Sequence, residues 1–191
     1  PFAALHDGLC YLAQRHQLAE APSAQVALRG LQRAPVAARC LLALGESSRL
    51  PHAGDEAKAV AALFNQGQGL GQAYVGDQAS LATLMQHAGS ADVLHLACHA
   101  QFRGDNPMFS ALHLHDGPLT AERAEVLALR PGVVVLSACE TGLAGQAGGD
   151  DQVGLVRAFL VAGAARVLAS LWPVDDAVTA RFMAHFYGAL Q

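Results

Sequence analysis

Charge is scarce in this sequence. Asp, Glu, Lys and Arg make up 15% of 191 residues, twelve basic against sixteen acidic, for a net charge of −4. No basic run occurs, so the electrostatic footprint of a nucleic-acid-binding surface is missing and no nucleic-acid partner is expected. Long apolar runs are missing too. The longest are cut by Arg130 and Arg166, short of the roughly 18–20 residues a membrane-spanning helix needs, and no membrane partner is expected. Cysteine is sparse, and Cys10, Cys40, Cys98 and Cys139 form no C-x-x-C pair. That argues against a zinc ribbon, a thioredoxin-like redox site or a secreted disulfide framework. A reducing, cytoplasmic setting without metal or other cofactor is the expectation. Pro1-Phe2-Ala3 offers no initiator Met, basic n-region or secretory h-region, so the chain reads as one domain, residues 1–191, excised from a longer protein and truncated at both ends.

Apolar residues, by contrast, are plentiful: 52% of the chain is hydrophobic, enough for a substantial core and incompatible with intrinsic disorder. Short apolar runs alternate with helical patterns. Arg39 to Leu44, Asp92 to Ala97, Val133 to Ala138 and Arg166 to Leu171 read as buried strands. Between them, Val60, Leu63 and Phe64 mark one helical face behind the first-turn acids Asp55 and Glu56. Leu81, Leu84, Met85 and Ala88 mark a second face, and a helix is expected around Thr120 to Leu127. Val153, Val156, Phe159 and Leu160 form a stripe ending near Gly163, and Val178, Phe182, His185, Phe186 and Ala189 form the last. Continuous Val/Leu strands separated by helices imply an α/β fold with a mainly parallel sheet covered on both faces. The first forty residues carry a weaker pattern, with Tyr11-Leu12-Ala13 readable as a strand or hairpin arm.

Right-handed crossovers bring the carboxyl ends of such strands to one edge, where ligands of open α/β sheets bind. The residues met there are Cys98-His99-Ala100, Cys139-Glu140-Thr141-Gly142 and Trp172-Pro173-Val174-Asp175-Asp176. His99 and Cys139 follow two strands; if those strands are neighbours, imidazole and thiol converge over one cleft. A thiol needs such a base to supply thiolate at neutral pH. Each residue alone has a structural reading, Cys as a small hydrophobe and His as a hydrogen-bonded surface group. Cys98 competes with Cys139 as nucleophile, but it adjoins His99, and consecutive strand residues point to opposite faces.

Several ordered motifs then acquire a common meaning. Leu94-His95-Leu96-Ala97-Cys98-His99, Asn106-Pro107 with Ser110, and Leu136-Ser137-Ala138-Cys139-Glu140-Thr141-Gly142 resemble the CHAT-domain peptidases. So do Gly149-Asp150-Asp151 with Gly154-Leu155, Ala158-Phe159-Leu160, Ala162-Gly163-Ala164, and Ser170-Leu171-Trp172-Pro173-Val174-Asp175-Asp176 followed by Thr179 and Phe186-Tyr187. The resemblance runs from about Pro1 to Leu190. It implies a three-layer caspase-like fold, kinship with caspases and separases, and frequent attachment to TPR repeats in the full-length chain. It also implies a cysteine endopeptidase in which His99 and Cys139 form the dyad, cleaving a protein or peptide substrate through an acyl-enzyme. The backbone N–H groups of Ala100 and Cys139 would bind the oxyanion. The family usually has Gly directly after the His. Ala100 keeps the N–H but narrows the backbone angles, and this feature favours the alternative of a catalytically silent interaction module.

Separase-like relatives place acids after an L-W-x-V strand end to recognise a basic side chain. By that resemblance Asp175, Trp172 and Ser137 become substrate-binding candidates. Asp175 reads equally as a helix cap, and Asp176 reads more readily as a cap than as a pocket acid. Asp150 and Asp151 look like first-turn acids of the helix after them. Gly142 to Gly149 would form a flexible loop able to gate the cleft. No third acid is required by such dyads, so Asp92 and Asp105 receive no triad role. His113 and His115 are expected on an exposed edge strand, Ala111 to Leu114, rather than at a metal. Gly67-x-Gly69-x-Gly71 lacks the strand-turn-helix setting and the Lys of a phosphate loop.

Overall fold

Apolar runs without polar alternation need cover on both faces, and the architecture supplies it. The structure is a computed structural model that describes residues 5–16, 18–32, 38–67, 69–103, 105–130, 132–138, 153–170 and 174–189. The chain divides into two units, Pro1–Gln32 and Arg33–Gln191. In the first, His6 and Tyr11 form an antiparallel bridge around a turn whose Asp7 carboxylate accepts the N–H groups of Leu9 and Cys10. Helices α1 (Leu12–Arg15) and α2 (Ala24–Gln32) follow. The Tyr11-Leu12-Ala13 segment therefore serves two elements: Tyr11 bridges, and Leu12 already begins a helix, with the Gln14 side chain accepting the Tyr11 N–H.

The second unit runs β1 (Cys40–Gly45), α3 (Ala53–Gln66), β2 (Leu70–Val75), α4 (Leu81–His87), β3 (Val93–Ala97), β4 (His99–Gln101), β5 (Ala111–Leu114), β6 (Gly117–Thr120), α5 (Ala121–Glu125), β7 (Val133–Ser137), α6 (Val153–Val161), β8 (Arg166–Ala169) and α7 (Asp176–Ala189). Among the described residues, the main sheet has the order β2-β1-β3-β7-β8, and every pairing in it is parallel. A second, antiparallel sheet, β4-β5-β6, is inserted into the crossover from β3 to β7, where a helix and one exposed edge strand, Ala111 to Leu114, were expected; that strand is instead the largely buried middle strand, because β4 and β6 pair with it on both sides.

Alternate strand residues face alternate layers. Leu41, Ala43, Val93 and Val135 pack against Ala57, Val60 and Phe64 of α3 and Met183 and Tyr187 of α7. Leu42, Leu44, Leu94, Leu96, Val134 and Leu136 pack against Leu84 of α4, Ala121 and Ala124 of α5, and Leu155, Ala158 and Phe159 of α6. Each fully buried Leu or Phe in these layers contributes about 1.5–3 kcal/mol. The three-layer α/β fold implied by the sequence is thus present. Gly163, at φ +122°, ends α6 in the left-handed conformation that suits glycine at a helix C-terminus.

Some helical faces are turned from the expected ones. Met85 is 61% exposed, while Leu84 and Ala88 carry the packing of α4. On α7, Met183 and Tyr187 are buried, whereas Val178 and Phe182 lie half exposed and His185 is exposed. A polar anchor sets that face: the Tyr187 hydroxyl lies 3.2 Å from Nδ1 of His95 on β3. Glu56, read as a first-turn acid, is 3% exposed. Its Oε1 sits 3.0 Å from His95 Nε2, out of line for a hydrogen bond. Gly67 closes α3 and Gly71 already lies in β2, an edge strand whose Gly71-Gln72 pair breaks the apolar run that would have marked it.

Candidate active site

The functional edge is built by the exits of β1, β3, β7 and β8, four consecutive strands of the sheet. Gly45 pairs with Ala97, Ala97 with Ser137, and Leu136 with Ala169, so the exits are level. Gly45 is needed there because a Cβ would collide with the Ala53 carbonyl at the start of α3. The expected neighbours β3 and β7 are adjacent and in register. Ser137 is buried at the last paired position of β7, and Ala138 continues into the apolar core beneath the edge. Cys139, Trp172 and the segment holding Gly142, Gly149, Asp150 and Asp151 lie outside the described residues.

Cys98 and His99 part company at this edge. The Cys98 side chain enters the core below the sheet with no exposure. Burial, and secondarily the negative charge of Glu46, pushes its thiol up to about 12. A thiol so placed stays protonated and unreactive at neutral pH. His99 instead opens β4 and stands directly across from His113 of β5, with ring centroids 5.4 Å apart. Antiparallel partners project to the same side, which also carries Gln101, whose Oε1 is 3.2 Å from His113 Nε2. Burial, then Arg49 and His99, lower the His113 pKa, and Glu46 works against them.

Ala100 follows in β4, opposite Leu112, with its methyl fully buried in the core. Extended backbone is open to Ala as freely as to Gly. The departure from Gly therefore costs no strain at this position.

The remaining candidates separate by location. Asp175 is exposed, and its Oδ1 accepts the Val178 N–H at 3.0 Å, the contact of a helix N-cap. Asp176, expected as the cap, is instead the first residue of α7, and its Oδ2 accepts the His52 N–H at the start of α3. The reason is register: one residue earlier, Asp175 reaches the third amide of the helix. His115 lies exposed beyond β5, so His113 is grouped with His99 rather than with His115. Asp92 sits at the far end of β3, accepting the Arg39 and Cys40 N–H groups, and Asp105 pairs with Arg103 at the surface. Asp92 thus lies at the opposite end of β3 from His99, and both Asp105 oxygens are taken up by Arg103. Sequence reading passed over Glu46, a buried acid directly after β1; the available signal was Gly45-Glu46-Ser47-Ser48 at the same kind of strand exit as Cys98-His99.

Beside Ala138 a small apolar recess opens between Phe102, Leu136, Leu155, Ala169 and Ser170. Among the described residues no group of three or more His, Cys, Asp and Glu side chains is placed to hold a metal ion. No helix among them is long and apolar enough to cross a membrane.

A family model described as the CHAT domain matches residues 1–191. The chain belongs to the CHAT-domain family. That family is related to the caspase-like cysteine peptidases, so this CHAT domain is of peptidase-related descent. No curated protein matches it significantly. Solved structures similar to this CHAT domain include a flavodoxin from Streptococcus pneumonia TIGR4, 15% identical, with a TM-score of 0.42 over 80% of this chain and 99% of that one. Another is a short-chain flavodoxin associated with a non-canonical PDU bacterial microcompartment, 14% identical, with a TM-score of 0.43 over 80% and 95% of the two chains. No property of this CHAT domain follows from likeness at that level.

Proposed function

We propose that this CHAT domain is a cysteine endopeptidase acting through Cys139 and His99. The observation that carries the reading is the registered pairing of Ala97 with Ser137 on adjacent parallel strands. His99, the first residue of β4, and Cys139 each stand two residues beyond that pair in sequence, and the paired strand ends themselves lie about 4.8 Å apart. Family membership supplies the chemical class.

In the proposed reaction the Cys139 thiolate attacks the substrate carbonyl carbon, and the carbonyl π pair moves onto oxygen. The N–H groups of Cys139 and Ala100 bind that oxyanion; one such donor is worth about 10²–10³ in rate. His99, protonated, gives its proton to the leaving amine as the C–N bond breaks. It then takes a proton from the water that hydrolyses the thioester. The substrate is a protein or peptide. Trp172, Asp175 and Ser137 are proposed substrate contacts, with the Asp175 carboxylate available to a basic side chain through the oxygen that does not cap α7. TPR repeats in the full-length chain and a cytoplasmic setting belong to the same proposal.

Alkylation by iodoacetamide across pH tests the dyad. Cys139 should react well below pH 8, and His99→Ala should return it to an ordinary thiol near about 8.5. Hydrolysis of a proteome-derived peptide library by the full-length protein should vanish in Cys139→Ala. A Cys139 that titrates normally with or without His99, and a library untouched by either protein, would make the domain a silent interaction module.

A further inference from the structure

Glu46 leaves β1 as His99 leaves β3, and the dyad chemistry gives it no task. Its place is tightly held. Gly45 is in register with Ala97, and the Glu46 N–H donates to the Ala97 carbonyl at 2.9 Å, two residues before His99. The side chain is 4% exposed. Its Oε1 accepts the Ser48 N–H at 3.0 Å and its Oε2 the Ser48 hydroxyl at 2.8 Å. Each carboxylate oxygen can accept more than one hydrogen bond, so this arrangement orients the charge without exhausting it.

Two neighbours report where that charge is felt. Glu46 raises the pKa of Cys98, and it raises that of His113. Cys98 immediately precedes His99, and His113 faces it across β4 and β5. The Glu46 backbone is bonded two residues before His99, and its charge is felt at the residue preceding that ring and at the ring across from it, at an end of the sheet with little water to screen it. The other charged and titratable groups at this end are Arg49, which is exposed, Cys98, held neutral, and His113, held below the usual imidazole range. Glu46 is the buried acid among these described groups.

We propose that Glu46 is a positioning residue for His99, holding positive charge on the imidazole so that the dyad rests as Cys139 thiolate and His99 imidazolium. The step it favours moves one proton from Cys139 Sγ to a His99 ring nitrogen, with no net uptake or release. This inference rests on the peptidase reading above, and its test is separable from it.

The measurement is an NMR titration of the His99 ring in a Cys139→Ala background, where no thiol is coupled to it. Glu46→Gln, an isosteric change, should lower the His99 midpoint by about one pH unit. Glu46→Asp, which keeps the charge, should restore at least half of that shift. Arg49→Ala, a surface change that spares the fold, should raise the midpoint by a few tenths. A purely structural Glu46 would lower the melting temperature in both Glu46 variants and leave the midpoint unmoved, which overturns the proposal. With Cys139 present, Glu46→Gln should slow alkylation at about pH 6.5 roughly tenfold. An unmoved midpoint beside an activated Cys139 sinks this inference alone. A moved midpoint beside an ordinary Cys139 thiol sinks the peptidase reading and keeps the charge coupling.

Discussion

Cys98 and His99 are consecutive residues with opposite surroundings, and the difference is one of solvation. The thiol of Cys98 enters a layer of Leu, Ala and Phe, where a thiolate has no partner and a nearby carboxylate repels it. Its unfolded value of 9.0 rises to about 12 in the fold. The unfolded chain therefore ionises first, and this thiol's contribution to stability is whole below pH 9.0 and is lost as pH rises toward about 12. Native protein at about pH 8 should take iodoacetamide slowly at Cys98 and faster at the half-buried Cys10 and Cys40; in guanidinium the difference should disappear. Peptide mass mapping reads this, and native labelling of Cys98 at the rate of Cys40 would show its burial to be wrong. At this scale the parting of Cys98 from His99 was legible because strand parity alone separates adjacent side chains. Glu46 was not, since an acid after a strand looks like any loop acid until β1 is known to adjoin β3. Glu56 and His95 were hidden likewise: their meeting beneath the sheet joins residues from a helix and a strand that no local pattern links.

The entry to α7 joins two helices through two acids. Asp175 caps α7, and Asp176 reaches the first exposed amide at the start of α3, so each acid answers the partial positive charge of a helix N-terminus. Asp175→Ala should cost about 1 kcal/mol in urea denaturation, and Asp175→Asn, which keeps an accepting oxygen, only a few tenths. If the same carboxylate also meets a basic substrate side chain, Asp175→Asn should lower hydrolysis of peptides carrying that residue while stability holds. Equal losses of stability from Ala and Asn would show that the cap bond is not made. The four apolar strands of the sheet were readable because β-branched and Leu runs bounded by Gly or Pro admit few alternatives. The edge strand β2 and the short β4 and β6 were not. Partners rather than composition make them strands, as with Pro118 opposite His113 in β6. The face of α7 was misread for a related reason: Tyr187 is apolar by pattern but is held by its hydroxyl at His95.

Across the second unit, the parallel sheet keeps the proposed chemistry at one end and its anchoring at the other. At the amino ends of the strands Asp92, 7% exposed, accepts the Arg39 and Cys40 amides at 3.0 Å each. Its backbone carbonyl takes the Val133 N–H, and Arg130 lies 3.5 Å from the carboxylate. One residue thereby joins the starts of β1, β3 and β7, while the continuous ladders from Leu41–Val93 to Gly45–Ala97 and from Val93–Val133 to Ala97–Ser137 hold the register along the strands. Asp92→Ala should destabilise the unit by about 2 kcal/mol, because two partly buried amides lose a charged acceptor. Five residues of strand, about 17 Å, separate that end from His99, too far for the lost charge to bear on the dyad through screening solvent. The midpoint in urea should therefore fall while the pH profile of Cys139 alkylation, taken well below that midpoint, keeps its shape. A profile displaced toward that of an ordinary thiol would mean that the Asp92 staple sets the register of the exits, and that the dyad is only as aligned as the far end of its own strands.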